Sequence, residues 1–266
     1  MAYRILLVFG LVATFAGAAL PSCAQPASDT QVVFDAPPPK RDAAEDGLLA
    51  LDRGIYDKVA QAKTNADFAK VERELKLIMS HVPTEFRLYE DYKGQLVVRA
   101  DREIGMPIAA AMAKDLPKTD PPGPVKVSFE PNVYGFAALA LSSLALERKD
   151  AEAALSVLNV GASIQPDNAK MVEARARALA TLGRLPEALR AYAAWTRNYP
   201  VQAELNPADT ALMWRGMGSV LVEQKQYDDA KESYESALKL VPGDPTTLAA
   251  LQRVEQLRVS APPTAN

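Results

Sequence analysis

The chain has 266 residues, with 30 lysines and arginines against 33 aspartates and glutamates and a formal net charge of -3. This near balance excludes binding to nucleic acid through bulk positive charge. Aromatic residues make up 7% of the chain, and alanine and leucine are frequent, a composition typical of packed helices. A single cysteine excludes a structural disulfide within the chain.

The amino terminus has the pattern of a secretory signal. An apolar run from Ile5 to Leu20 follows one positive residue, Arg4. Small residues then match the positions that a signal peptidase reads, so residues 1–24 are predicted to be cleaved off before Gln25. An uncleaved anchor is the alternative. No later stretch reaches the roughly 20 apolar residues that a spanning helix needs, so we expect an exported protein of the periplasm or cell envelope with no transmembrane span in its mature chain.

Cys23 lies at the end of this segment, in the sequence Leu20-Pro21-Ser22-Cys23. This sequence resembles a bacterial lipobox, in which the cysteine carries the lipid. Two fates therefore stay open, a lipid anchor at Cys23 or soluble export.

The region between the signal and the middle of the chain is less regular. Residues 25–46 are rich in proline and alanine and are predicted to be a disordered tether; the alternative strand at 31–34 is judged too short to stand alone. Residues 47–115 are predicted to be irregularly helical, with helices at 86–104 and 106–114 and a possible degenerate repeat at 52–85. Five prolines in residues 116–134 predict a linker.

A periodic pattern occupies the carboxyl-terminal half. Ala154 and Ala188 are 34 residues apart, and Ala230 follows after the same period plus an insert of eight. Leu158, Tyr192 and Tyr234 repeat in the same way, as do Pro166, Pro200 and Pro242. Such a period is typical of helical hairpins that must stack in order to bury their apolar faces. The predicted units are 135–168, 169–202 and 211–244, followed by a capping helix at 245–259 and a tail at 260–266.

These residues resemble the tetratricopeptide repeat (TPR), whose signature is W-x2-L-G-x2-Y, A-x3-F, A and P. The resemblance implies an all-α, right-handed solenoid of helix-turn-helix units in which the signature residues pack. Those structural residues are Ala154, Pro166, Ala188, Tyr192, Pro200, Trp214, Gly218, Ala230, Tyr234, Ala237 and Pro242.

The resemblance also implies that partners bind on the concave face, which the first helix of each unit lines. In this register the candidate partner-binding residues are Phe136, Leu139, Ser143, Lys170, Glu173, Arg177, Arg215 and Ser219. Phe136 and Leu139 form an apolar end, and packing against the preceding helices predicted within 86–114 is their alternative role. The clamp of lysine, asparagine and arginine with which some TPR domains hold a terminal carboxylate is absent, since its places hold Leu139, Ser143, Ala174, Leu212 and Gly216.

No catalytic pattern accompanies the repeats. His81 is the only histidine and has no cysteine to share a metal, so we expect no metal, no cofactor and no nucleophilic triad. We therefore expect a non-catalytic protein-binding scaffold of the cell envelope. The alternatives are an envelope enzyme or accessory subunit with its site in 47–115 and the repeats as a docking arm, and a self-associating structural subunit.

Overall fold

The computed structural model describes residues 32–41, 43–100, 102–115 and 123–260. The predicted signal, Cys23 and the last residues of the tail lie outside them. The strands are β1 Val32–Val33, β2 Tyr89–Tyr92, β3 Gln95–Val98 and β4 Val125–Phe129. The helices are α1 Ala43–Val59, α2 Asn65–Lys70, α3 Glu72–Ser80, α4 Arg102–Asp115, α5 Val133–Glu147, α6 Ala151–Ile164, α7 Ala169–Thr181, α8 Leu185–Asn198, α9 Pro200–Leu205, α10 Pro207–Glu223, α11 Tyr227–Leu240 and α12 Pro245–Ser260.

The predicted α-solenoid is confirmed by the helical hairpins α5/α6, α7/α8 and α10/α11, which α12 follows. Their helices begin at side chains that suit a helix start: the carboxamides of Asn132 and Asn168 and the carboxylate of Asp150 each accept a hydrogen bond from the backbone N–H three residues ahead. The next first helix packs on the preceding hairpin, so α5–α8 and α10 share one apolar core, while Ala230, Tyr234 and Val254 of α11 and α12 form a smaller one.

The small signature residues lie where helices cross closely. Ala154, Ala188 and Ala230 are fully buried. A Cβ atom on Gly218 would lie 2.9 Å from the ring of Tyr234, so glycine is needed for that approach. The periodic residues therefore serve the packing role that the sequence assigns to them.

Trp214 packs on the core, as its place in the signature implies, but its side chain is only half-buried. The buried tryptophan is Trp195, with 2% of its surface exposed and its Nε1 donating a hydrogen bond to the carbonyl of Asp167 at 2.7 Å. The repeat pattern did not predict that Trp195 would be the buried tryptophan, because the TPR signature has alanine at that position.

The insert between the second and third units is helical. Pro200 starts the short helix α9 instead of only ending α8, and α10 begins at Pro207 with Asn206 as its cap. The carboxamide of Asn206 accepts a hydrogen bond from the N–H of Asp209 in the first turn of α10.

The predicted helix at 86–104 is wrong, because this segment contains the antiparallel hairpin β2–β3. Lys93 and Gly94 both have positive φ, the backbone of a two-residue hairpin turn, and the Asp91 carboxylate accepts a hydrogen bond from the N–H of Gly94. Apolar residues at helical spacing hid the alternation of the strands.

The predicted linker and tether also contribute to this sheet. In the described part of 116–134, β4 pairs in parallel with both β1 and β3, giving the order β1-β4-β3-β2. Val32 and Val33 pair with Val125 and Lys126. The local sequence does not predict this strand, because its pairing partner is too distant in the chain to leave a local signal.

Two different faces result from this sheet. Leu96, Val98 and Val127 pack with Ala109 and Ala113 of α4 in an apolar layer. The opposite face carries Glu90, Arg99 and Glu130 toward α1, which is regular after a break at Gly47. The helices α2 and α3, which follow α1 in the chain, pack on α5.

Candidate functional site

A groove of about 500 Å³ lies over the first helices of the later units. Its walls come from α7, α10 and α12, and its floor comes from side chains of α8 and α11. The lining residues are Glu173, Arg177, Ala180, Thr181, Tyr192, Leu212, Arg215, Gly216, Ser219, Val220, Glu223, Tyr234, Thr246 and Ala250.

The structure brings four predicted partner-binding residues together here: Glu173, Arg177, Arg215 and Ser219. Arg177 and Glu173 form an ion pair of 3.5 Å along α7, with 57% of the arginine side chain exposed. Arg215 reaches across to Asp244 at 3.0 Å. The groove therefore presents charges of both signs. Lys170 is exposed one helical turn before Glu173 and does not line the groove.

Phe136, Leu139 and Ser143 do not line this groove. The ring of Phe136 contacts Tyr56 and Phe68 edge-on, with centroids 5.2 and 6.0 Å apart. Ser143 Oγ donates to Asn65 Oδ1 at 2.7 Å. The prediction that Phe136 and Ser143 lie on an open face is wrong. The alternative of packing on helices within 86–114 is also wrong, because the contacts come from Tyr56 of α1 and from Phe68 and Asn65 of α2. Leu139 is half-buried against the core of the repeats.

Two tyrosines that the sequence analysis assigned only to packing form the groove floor. Burial raises the pKa of Tyr192, and so does the nearby Glu173 carboxylate, while burial also raises the pKa of Tyr234. Both phenols therefore stay protonated at neutral pH and can donate hydrogen bonds into the groove. The repeat register predicts their packing role but not that their rings also line the groove.

A second polar cluster lies between α1 and the charged face of the sheet. The Arg99 guanidinium is 2.7 Å from Glu90 Oε2 and 3.2 Å from Glu130 Oε2. Arg41 donates twice to Glu90, and Arg53 donates to Glu130. The hydrogen bond from Arg41, together with the one from Arg99, lowers the pKa of Glu90 to about 2. Glu90 is therefore a stable anion that holds Arg41 and Arg99 together.

Asp52 extends this cluster. Its side chain is fully buried and contacts His81 Nδ1 at 2.7 Å, and it accepts from the Tyr134 hydroxyl at 2.9 Å. Desolvation and the bond to Asp52 raise the pKa of Tyr134.

Among the described residues, no group of three or more His, Cys, Asp and Glu side chains converges as a metal site would require. No helix among those residues combines the length and apolar character needed to cross a bilayer.

Comparison with known proteins finds resemblance only among solved structures. Neither protein-family models nor curated proteins give a match. The first TPR domain of human RPAP3 is 17% identical, with a TM-score of 0.41, over 48% of this chain and 94% of that one. The Sgt2 TPR domain from Aspergillus fumigatus is 19% identical, with a TM-score of 0.41, over 50% and 87%. The TPR2B domain of yeast Sti1, in complex with pHsp70, is 18% identical, with a TM-score of 0.38, over 48% and 95%. The repeat assignment itself rests on the hairpins and packing residues described above.

Proposed function

We propose that this chain, whose helices α5–α12 are similar to tetratricopeptide repeats, is a protein-binding scaffold that holds a segment of a partner protein in the groove between α7, α10 and α12. The observation that carries the proposal is the convergence of Glu173, Arg177, Arg215 and Ser219 from successive first helices on one open groove. Stacked helical units are suited to this task because their curvature creates an extended concave surface.

The chemistry of the groove favours a polar peptide segment over an apolar helix. Among the described residues that line it, the large aliphatic side chains are Leu212 and Val220, and Val220 is buried. An amphipathic helix needs a continuous apolar groove. Tyrosine and serine hydroxyls, with Arg177 and Glu223 at the rim, instead suit an extended segment that carries charges of both signs.

The place of action is part of the proposal. The apolar run and the small residues before Gln25 support export, and we propose that the scaffold works in the periplasm or cell envelope, free or anchored by lipid at Cys23.

A non-catalytic role is favoured over an enzyme with its site in 47–115. A general acid or base at neutral pH needs a pKa shifted toward 7. The pKa of Glu90, a carboxylate that accepts hydrogen bonds from Arg41 and Arg99, is lowered to about 2 instead. The cluster is therefore better suited to holding α1 and the sheet together than to proton transfer.

The test is site-specific photo-crosslinking in the native envelope. A benzoylphenylalanine in place of Ser219, which is exposed in the groove, should cross-link a partner, and one in place of Arg190, which is exposed on α8, should not. Arg177→Glu should reduce the cross-link from position 219, while Arg190→Glu leaves it unchanged. Equal cross-linking from both positions, or none from 219, contradicts the proposed groove. Cross-linking to a second copy would instead support the self-associating alternative.

A further inference from the structure

The first helix of the first unit presents residues that continue the groove in register. With the 34-residue period, Phe136 corresponds to Lys170 of the next unit and Ser143 to Arg177. Arg177 lines the groove, so Ser143 lies where the same surface would extend over α5. The groove nevertheless stops at α7.

The short helix α2 covers this extension, beside Tyr56 of α1, whose ring also contacts Phe136 with centroids 5.2 Å apart. Phe68 of α2 places its ring against Phe136, with the planes at 81°, and Asn65 Oδ1 accepts the hydrogen bond from Ser143. The two residues stand one helical turn apart, so a single face of α2 makes both contacts. The chain's own segment thus occupies the position that a ligand would take.

This cover is weakly held. None of the six residues of α2 is fully buried, and its capping box between Thr64 and Asp67 is exposed. A helix of this length is not stable by itself in water. The helix ends at Val71, where the backbone leaves helical geometry (φ -113°, ψ 15°).

The elements beyond Val71 are anchored independently of α2. Leu75 and Ile78 of α3 are fully buried. Glu72 forms a bidentate ion pair with Arg148 at 2.9 and 2.7 Å, which fixes the start of α3 to the end of α5. The segment 64–70 can therefore open while α3 and α5 stay in place, because local opening is least costly where few apolar contacts are lost.

We infer that α2 is a displaceable cover over the α5 end of the groove, and that the partner competes with it for the same surface. The competing segment presents what α2 presents, an aromatic ring for Phe136 and a hydrogen-bond acceptor for Ser143. This inference rests on the proposed groove function. It predicts that loosening α2 strengthens partner binding, since apparent affinity rises with the fraction of molecules in the open state.

The first test measures access to α5 by alkylation with iodoacetamide in a Cys23→Ser background. A thiol from Ser143→Cys should react slowly with α2 intact, and Phe68→Ala should raise the rate about tenfold or more. Leu77→Ala, at a side chain of α3 that is 44% exposed, is the matched control and should leave the rate unchanged. A fast reaction with Phe68 intact, or equal rates in both variants, overturns the inference.

A second measurement does not depend on how the variants fold. Hydrogen exchange of the unmodified protein should be much faster for amides of α2 than for those of α3 and α5. If α2 exchanges together with α5, it is not an independent cover and the inference fails.

Cross-linking to the partner distinguishes this inference from the proposed function. Phe68→Ala should increase the yield of the cross-link from position 219 severalfold. An unchanged yield would show that the partner does not use the α5 surface, and the groove proposal would survive alone. If the parent protein gives no cross-link from position 219, the proposed function itself is contradicted.

Discussion

The two tryptophans differ sharply in environment, and their replacement should show it. Trp195→Ala removes a fully buried side chain and should cost about 3–5 kcal/mol of unfolding free energy. Trp214→Ala should cost clearly less, because that side chain is half-buried. Urea unfolding followed by circular dichroism measures both. Trp195→Phe separates the contributions: it keeps most of the packing but leaves the Asp167 carbonyl without the indole donor, at about 1–3 kcal/mol. A larger loss for Trp214→Ala than for Trp195→Ala would contradict the packing described here.

Gly216 is a residue whose smallness shapes the groove. A Cβ atom there would lie 2.3 Å from Tyr192 Cζ, and the tyrosine ring is buried and cannot move away freely. Gly216→Ala should therefore destabilise the protein by about 1–3 kcal/mol.

Gly54 provides the matched control for Gly216. It lies within α1, and a Cβ atom there would have no neighbour within 4 Å. Gly54→Ala should stabilise by about 0.5–1 kcal/mol, through reduced freedom of the unfolded chain. Destabilisation by both substitutions in the same denaturation assay would argue against a specific clash at Gly216.

At the scale of elements, the joint between β2 and the segment that precedes α1, where Glu90 pairs with Arg41, should be sensitive to acid. The folded-state pKa of Glu90 is about 2 and its ordinary value is 4.5, so its stabilising contribution is fully present above about pH 4.5. It is lost as the pH falls from there toward 2. Glu90→Gln should flatten the pH dependence of the unfolding free energy in this window.

Glu72 is the comparison for that experiment. Arg148 and Lys76 also lower its pKa to about 2, but the arginine side chain is 53% exposed and solvent screens the pair. Glu72→Gln should flatten the profile less than Glu90→Gln does, and added salt should reduce its effect further. An unchanged profile in Glu90→Gln would show that Arg41 and Arg99 do not stabilise the folded state through this carboxylate.

The elements differ in how far the sequence predicts them. The hairpins α5/α6, α7/α8 and α10/α11 are predicted by local sequence. The residues that pack each hairpin, such as Ala188 and Tyr192, lie close together within one unit. The strands β1 and β4 depend on each other across most of the amino-terminal half, so neither has a local signal. Prolines in 116–134 suggested a linker, and only pairing with distant strands makes Val125–Phe129 part of a sheet.

The candidate site was predictable to the extent that it follows the repeat register. Glu173, Arg177, Arg215 and Ser219 meet because equivalent positions of stacked units face the same side. Phe136 and Ser143 obey the same register but are covered, because α2 reaches them from a region with no periodicity. Tyr192 and Tyr234 were assigned to packing alone, since the repeat pattern does not show which ends of a packed ring remain accessible.

For the whole molecule, we expect a substitution at a buried arginine of the sheet to destabilise the elements around it and to leave the last stacked helices protected. Arg99→Met leaves Glu90 and Glu130 without their shared partner in a buried site and should cost about 3–5 kcal/mol. Hydrogen exchange should rise in α1 and β2–β4, while α10–α12 keep their protection because stacked units depend on their neighbours.

The matched control is Arg102→Met, which removes an exposed pair with Asp35 and should cost less than about 1 kcal/mol. Uniform loss of protection along the whole chain in Arg99→Met would instead show that the sheet and the distant helices unfold as one unit.

The parallel pairing of β1 with β4 has a consequence for the order of folding. Each hairpin of the solenoid closes between residues that are near in sequence, whereas Val32 must find Val125 before the sheet is complete. Distant pairing is entropically slow, because a long loop must close before any contact compensates for it. The sheet should therefore consolidate after the transition state. Val127→Ala, at a fully buried position of β4, should then accelerate unfolding while leaving the refolding rate nearly unchanged.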